Sequence, residues 1–257
     1  MSIAYFDCFS GICGDMILGA FIDLGLPLNY LNNELDKLKL SGYKVTVEKI
    51  KINHITATNV NIEVEEDQPY RNYLNIIELI EESSLNKKIK EYSKKIFFKI
   101  ASAESKIHGI DINKVHFHEV GAVDSIIDII GAVIGREKLG LDEIISSPLP
   151  LGKGFIRSSH GILPVPAPAT VEILKGIPVY QSGREQELVT PTGAAIITTF
   201  TDKFIDMPMM RINRIGYGAG KTSSRYPNLL RVYIGAVSYT HLRAHETRHD
   251  LVCRLLL

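Results

Sequence analysis

What the chain lacks narrows it first. It has no surplus of charge: 29 Lys and Arg balance 29 Asp and Glu over 257 residues. No global field draws it to nucleic acid or to an anionic membrane, and neither is expected as a partner. It has little cysteine. Cys8, Cys13 and Cys253 cannot build a disulfide framework, and a reducing cytosol suits them, so a cytoplasmic location is expected. It lacks the basic start and apolar core of a signal peptide, beginning Met1-Ser-Ile-Ala-Tyr-Phe-Asp. It also lacks a long apolar run, because Ile126–Ile134 is short and broken by Asp128 and Gly131. What remains is an ordinary globular composition, 45% apolar and 23% charged, long enough for one large domain or two small ones.

The densest chemistry lies between Val115 and Gly135. His116 and His118 flank Phe117, and alternation would put both imidazoles on one side of an extended segment. Glu119 follows, and then a stretch that reads as a nearly all-apolar helix broken by Asp124, Ser125 and Asp128. Four residues apart, Asp124 and Asp128 share a helix face, which Gly131 and Gly135 continue, where a neighbouring backbone could come close. Carboxylates in such surroundings need cations, donors or a metal. The bland alternative is that Asp124 caps the helix, Asp128 pairs with a Lys or Arg, and the histidines are edge-strand residues.

Around that stretch the pattern alternates between strands and helices, giving an α/β (mixed α+β) expectation: a small sheet with flanking helices and a hairpin-and-helix subdomain over 43–108. Ile3–Phe6 reads as a strand, running through Asp7, Ser10, Gly11, Gly14 and Asp15 into a helix over Met16–Leu24. Strand, glycine loop and helix can aim backbone N–H groups at an anion; the alternative is Asp15 as a cap and Cys8 and Cys13 as small core residues, which is favoured for the cysteines. A helix is predicted over Leu28–Leu40, a hairpin over Tyr43–Ile52 and Ile55–Val64 turning at Asn53-His54, and helices over Tyr73–Glu82 and Leu85–His108. The lysines of that last helix read as a solvated face. Ile144–Leu151 reads as one extended segment. Lys153, Arg157 and His160 beside glycines could hold an anion, and a proline arm breaks into a helix near Pro168. Ile177–Tyr180 is a predicted strand. Thr190 and Thr192 flank Pro191 at the start of a helix through Phe204, where they cap it or take a phosphate or carboxylate. Gly216-Tyr-Gly-Ala-Gly-Lys221-Thr fits neither the phosphate-loop nor the dinucleotide spacing. It reads as a flexible loop before a last strand over Leu229–Ile234, with Lys221 and Arg225 available to an anion. His241, His245 and His249 would stack on a helix, but residues 237–257 resemble a translated adapter tail and are expected to be non-native.

Five stretches, in order over about residues 3 to 235, resemble the LarC family of nickel-insertion proteins. They are Tyr5-Phe-Asp-Cys-Phe-Ser-Gly-Ile-Cys-Gly-Asp-Met, Val115-His-Phe-His-Glu-Val-Gly-Ala-Val-Asp-Ser-Ile-Ile-Asp, His160-Gly-Ile-Leu-Pro-Val-Pro-Ala-Pro-Ala-Thr, Leu188-Val-Thr-Pro-Thr-Gly-Ala-Ala and Gly216-Tyr-Gly-Ala-Gly. The resemblance implies a cyclometallase, a nickel chelatase of the lyase class. Such a protein puts Ni(II) into pyridinium-3,5-bisthiocarboxylic acid mononucleotide, using CTP with a divalent metal, to make the nickel-pincer cofactor of lactate racemase. It implies His116, His118 and Glu119 as metal ligands, and Asp124, Asp128 and Glu119 as acid–base groups. Substrate contacts would be Asp7, Ser10, Gly11, Gly14, Asp15, Lys153, His160, Thr190, Thr192 and Lys221. A soft thiocarboxylate pincer with imidazoles suits nickel, and a base must take the ring proton as the carbon–nickel bond forms.

Two departures follow. Relatives often carry a histidine-rich stretch where this chain has Asp67-Gln-Pro-Tyr-Arg71-Asn-Tyr-Leu. Family members are also commonly longer, so residues 1–236 are expected to be the N-terminal region. A C-terminal domain that binds the nucleoside triphosphate would then be its partner, and a homo-oligomer is compatible. The alternatives are a non-catalytic nickel carrier or assembly module and, less favoured, a metal-dependent hydrolase.

Overall fold

The structure is a computed structural model describing residues 3–65, 71–115, 117, 123–158, 161–201, 203–222 and 224–237. The chain enters as β1 (Ile3–Asp7), whose first four residues are buried, and turns through a tight loop into α1 (Gly14–Asp23). α2 (Leu28–Leu35) then closes in a short 3-10 turn to Leu38, so the predicted helix over Leu28–Leu40 is tightened at its end. β2 (Tyr43–Ile52) and β3 (Ile55–Val64) form the expected hairpin, with Asn53 and His54 at φ of 49° and 65°. Two consecutive left-handed residues make the type I′ turn that matches strand twist.

Next come α3 (Tyr73–Glu82) and α4 (Lys87–His108). The Asn86 side chain caps α4 by accepting from the Ile89 amide at 2.8 Å, and Gly109 ends it at φ 63°. The lysine-rich side of α4 is exposed at Lys87, Lys88 and Lys95, as expected of a solvated face, and several of the helix's lysines also pair with neighbours. Lys88 pairs with Glu137 at 2.8 Å, Lys94 pairs with Glu81, Lys106 pairs with Glu172 at 2.8 Å, and Lys99 donates to the Thr198 carbonyl at 2.7 Å. α5 (Val123–Lys138) is the apolar helix expected, buried along most of its length.

The segment expected as one extended run is two strands, β4 (Glu143–Ser146) and β5 (Leu149–Leu151), divided at Ser147-Pro148. After β6 (Phe155–Ser158) and β7 (Gly161–Pro164), α6 (Pro168–Ile173) starts with Pro168 in its first turn, where a missing N–H costs nothing. β8 (Val179–Gln181) leads to α7 (Pro191–Phe200), which stops at Thr201, short of Phe204. Phe204 lies instead in β9 (Lys203–Phe204). The last pair is β10 (Met210–Ala219) and β11 (Leu229–Val237).

A seven-stranded mixed sheet runs in the order β2-β3-β10-β11-β1-β4-β9, and the β2–β3 hairpin extends it at one edge. β1 sits inside it, parallel to β4 and antiparallel to β11. The main core lies between the sheet and α1 and α5, with α4 and α7 packed behind them, through Phe6, Met16, Phe21, Phe97, Ile130 and Val232 among others. A smaller cluster of Ile3, Tyr5, Ile145 and Tyr233 lies apart from it.

The Gly216–Ala219 stretch is therefore strand, not flexible loop. A Cβ at Gly218 would lie 1.8 Å from the Met16 carbonyl oxygen, and one at Gly216 would lie 2.4 Å from that of Ala20. Gly19 reciprocates, since its Cβ would meet the Thr58 carbonyl at 2.4 Å. α1 thus rests on the sheet backbone to backbone, which explains glycine inside a strand. On α5, Gly131 and Gly135 face side chains of α1, not its backbone: their Cβ atoms would meet Leu18 at 2.9 Å and Phe21 at 2.6 Å.

Candidate functional site

A cavity of about 620 Å³ opens where the start of α1 meets α5, the start of α7 and the loop after β10. Its size falls in the range of small-ligand sites. Of the residues singled out from sequence, it gathers Gly14, Asp15, Asp124, Asp128, Arg157, Thr190, Thr192 and Lys221. These come from five separate segments of the chain.

Asp128 is the unusual group. Its Oδ1 is enclosed and has no hydrogen-bond partner among the described residues, against the rule for buried polar atoms. Burial pushes its carboxyl well above the usual carboxylate range; the negative charges of Asp15 and Asp124 push the same way and Lys221 pulls back. Gly14 makes room for it: a Cβ there would lie 2.6 Å from both the Cβ and Oδ2 of Asp128. The carboxyl is therefore pressed against the first turn of α1.

Asp15 stands beside it in that turn and is only 7% exposed. Its Oδ1 accepts from the Met16 amide at 2.8 Å and from the Cys13 thiol at 2.6 Å. Burial, reinforced by Asp15, holds Cys13 well above its ordinary thiol range, so it is a thiol donor and not a thiolate. Cys8 is a core residue, fully buried, its thiol pushed up to about 12 by burial. Asp124, in the first turn of α5, accepts from the Ser125 amide at 2.7 Å.

Lys221 and Arg157 bring positive charge to the same lining. Thr190 is the cap of α7, its hydroxyl accepting from the Gly193 amide at 3.1 Å. Thr192 is buried at the cavity wall. Sequence reasoning did not single out Glu185, Gln186, Glu187 or Asn228, which also line the cavity. Its one available signal was the position of the first three just ahead of Leu188-Val-Thr-Pro-Thr.

Four candidates lie away from this lining. Asp7 takes a two-point contact from Arg231, at 3.0 Å from Nε and 2.6 Å from Nη2. Ser10 accepts from Arg184 at 2.7 Å. Gly11, at φ 100°, allows the Leu188 carbonyl oxygen to come within 1.9 Å of where a Cβ would stand. Lys153 pairs with Glu185 at 3.6 Å. His116, His118, Glu119 and His160 lie outside the described residues, as does the tail from 238. Among the described residues no three His, Cys, Asp or Glu side chains form a group able to hold a metal ion, and no helix is long and apolar enough to cross a membrane.

A family model described as nickel insertion protein matches residues 4–255. The chain belongs to that family. It is 53% identical over 235 residues to a "Putative nickel insertion protein" of Dictyoglomus thermophilum, covering 91% of this chain and 61% of that protein. A second protein of the same name, from Geotalea uraniireducens, is 50% identical over 238 residues, with 91% and 61% covered. A "Pyridinium-3,5-bisthiocarboxylic acid mononucleotide nickel insertion protein" of Desulfitobacterium hafniense is 47% identical over 238 residues, covering 93% of this chain and 59% of that protein. The chain thus spans about three fifths of the length of these relatives. No solved structure gives a significant match.

Proposed function

We propose that the cavity beneath Asp128 is where Ni(II) is inserted into pyridinium-3,5-bisthiocarboxylic acid mononucleotide. The observation that carries the reading is the enclosed carboxyl of Asp128, its Oδ1 without a hydrogen-bond partner among the described residues, beside Asp15, Asp124 and Lys221. Insertion breaks a ring C–H bond. The electron pair goes to nickel and the proton to a base, while two thiocarboxylate sulfurs complete the pincer. A carboxyl with raised proton affinity is a stronger acceptor than an ordinary aspartate. Arrival of a dication beside three carboxyls favours their ionised forms, so Asp128 is freed to accept once metal is present. His116, His118 and Glu119, close before Asp124 in sequence, are the proposed nickel ligands, and imidazole with carboxylate is a donor set that nickel accepts. CTP with its divalent metal would bind the part of the longer relatives that this chain does not span, and the product would serve lactate racemase.

The test is a single-turnover insertion assay read by mass spectrometry, with the complementary C-terminal region and CTP supplied. Asp128→Ala is expected to keep Ni(II) affinity by calorimetry and to slow product formation about 10²–10⁴-fold, the usual weight of a general base. Product at the wild-type rate would remove Asp128 from the chemistry. Ni(II) affinity unchanged by His116→Ala with His118→Ala would remove the ligand assignment. Because the chain spans about three fifths of its relatives, a carrier that binds nickel but forms no product in any combination is the second reading, and the same assay separates the two.

A further inference from the structure

We infer that a second, smaller cavity beside the main one binds the phosphate of the nucleotide between Lys51 and Lys221; this rests on the proposed function above. The cavity, about 350 Å³, lies between the end of β2 and the loop that follows β10. It shares Lys221, Thr222 and Asn228 with the main cavity, so the two adjoin through one short loop.

Charge decides between the two compartments. The main cavity carries Asp15, Asp124, Asp128, Glu185 and Glu187 in its lining. A phosphate dianion placed among them meets like charge on several sides. Among the described residues, the smaller cavity has no carboxylate in its lining; it has Lys51, Lys221, Asn53, Thr222, Ser224 and Asn228 instead. Neither lysine side chain makes a hydrogen bond or a close ion pair with another described residue, and Lys221 feels Asp128 only through its charge at longer range. Two ammonium groups without a contacting carboxylate are the donors a phosphate monoester needs.

The loop that carries Lys221 is shaped from within. The Gly220 amide donates to the Asn228 carbonyl at 3.0 Å, and Asn228 Nδ2 donates to the Thr222 carbonyl at 3.0 Å. Asn228 packs over Gly220, where a Cβ would lie 2.5 Å from Asn228 Nδ2. From the other side, Asn53 Nδ2 reaches the Arg225 carbonyl at 3.4 Å, so the hairpin turn touches the same loop. The rival location is the first turn of α7. There the Thr190 hydroxyl already accepts from Gly193, and a Cβ at Gly193 would meet the Ile12 carbonyl at 2.3 Å. That helix start is filled by the protein's own cap and backbone. The substrate then lies with its pyridinium and thiocarboxylates toward Asp128 and its phosphate toward Lys51.

The test is calorimetry on the full chain with two probes, nicotinic acid mononucleotide and the corresponding riboside without phosphate. The wild type is expected to prefer the mononucleotide by about tenfold or more, the scale of one charge-assisted contact. Lys51→Ala should erase most of that preference, leave riboside and Ni(II) affinity unchanged, and be rescued by Lys51→Arg. Lys44→Ala, an exposed hairpin lysine outside the lining, is the control and should change nothing. A phosphate preference that survives Lys51→Ala, or equal binding of the two probes by the wild type, overturns this inference and leaves the insertion reading standing. A wild type that binds Ni(II) but neither probe overturns the nucleotide reading and this inference with it.

Discussion

Replacing Gly14 by alanine asks whether Asp128 stands where the cavity needs it. The new Cβ would lie 2.6 Å from the Asp128 Cβ and Oδ2 and 2.8 Å from its Cγ. Carbon contacts settle at about 3.5–4.0 Å, so one partner must retreat by about 1 Å. Overpacking of this kind costs about 1–3 kcal/mol. Alanine for glycine in a helix returns about 0.5–1 kcal/mol. The expected net loss is about 1–2 kcal/mol, or about 2–8 °C in Tm for a chain of this size. In an Asp128→Ala background the obstruction is gone, so the same change should be neutral or slightly stabilising. Thermal melts of the four proteins should therefore show a coupling of about 2 kcal/mol, well beyond the roughly 0.5 kcal/mol scatter of independent sites. The displaced carboxyl should also slow insertion by about 10²-fold, the usual cost of misplacing a reacting group by that much. Additive melting temperatures together with an unchanged insertion rate would refute both the contact and the role given to it.

Three further outcomes are expected. Asp128→Asn should change how stability follows pH. The folded pKa of Asp128 lies above its unfolded value of about 3.9, so wild type and variant should be alike below that pH; the wild type then loses ground as pH rises toward the folded pKa, by about 1.4 kcal/mol per unit of elevation. Denaturant titrations at pH 3.5 and pH 8 check this, and a pH-independent difference contradicts the assignment. Asp7→Asn should remove the two-point contact with Arg231, lower stability by about 1–3 kcal/mol and leave mononucleotide affinity intact. Affinity that falls with stability unchanged would instead put Asp7 on the ligand. Thr190→Ala should cost about 1 kcal/mol through the lost α7 cap, read as a lower denaturation midpoint with unchanged slope.

The parts legible from sequence were those with strong local signals. Period-two alternation around Asn53-His54 marked the hairpin to the residue, because both the pattern and the turn are local. Asp124 and Asp128, four apart on an apolar helix, were visible as costly groups in need of a reason, and they do face one cavity with Asp15, Thr190, Thr192 and Lys221. The family itself was legible from five ordered motifs. What local pattern could not carry was tertiary contact. Gly216 and Gly218 read as a loop because glycine weakens a strand; only the approach of α1 gives them a reason to be there. The partners of the α4 lysines, Glu81, Glu137, Thr198 and Glu172, lie on four other helices, so no spacing within α4 revealed them. Asn228 and the acidic run at 185–187 reach the cavity by chain paths that no spacing rule anticipates.

The contact of α1 with β10, made through Gly19, Gly216 and Gly218, leaves no side chain between helix and strand at those positions. Side chains can change rotamer and let two elements slip; two backbones in contact have no such freedom. α1 therefore cannot loosen without β10 loosening too. In hydrogen exchange the slow amides of the two should open together, as one cooperative unit with a common free energy, while the hairpin edge and the loop carrying Lys221 open earlier and separately. The wall of the cavity that bears Asp15 is then as stable as the centre of the sheet, and movement during ligand entry falls to the elements on the opposite side.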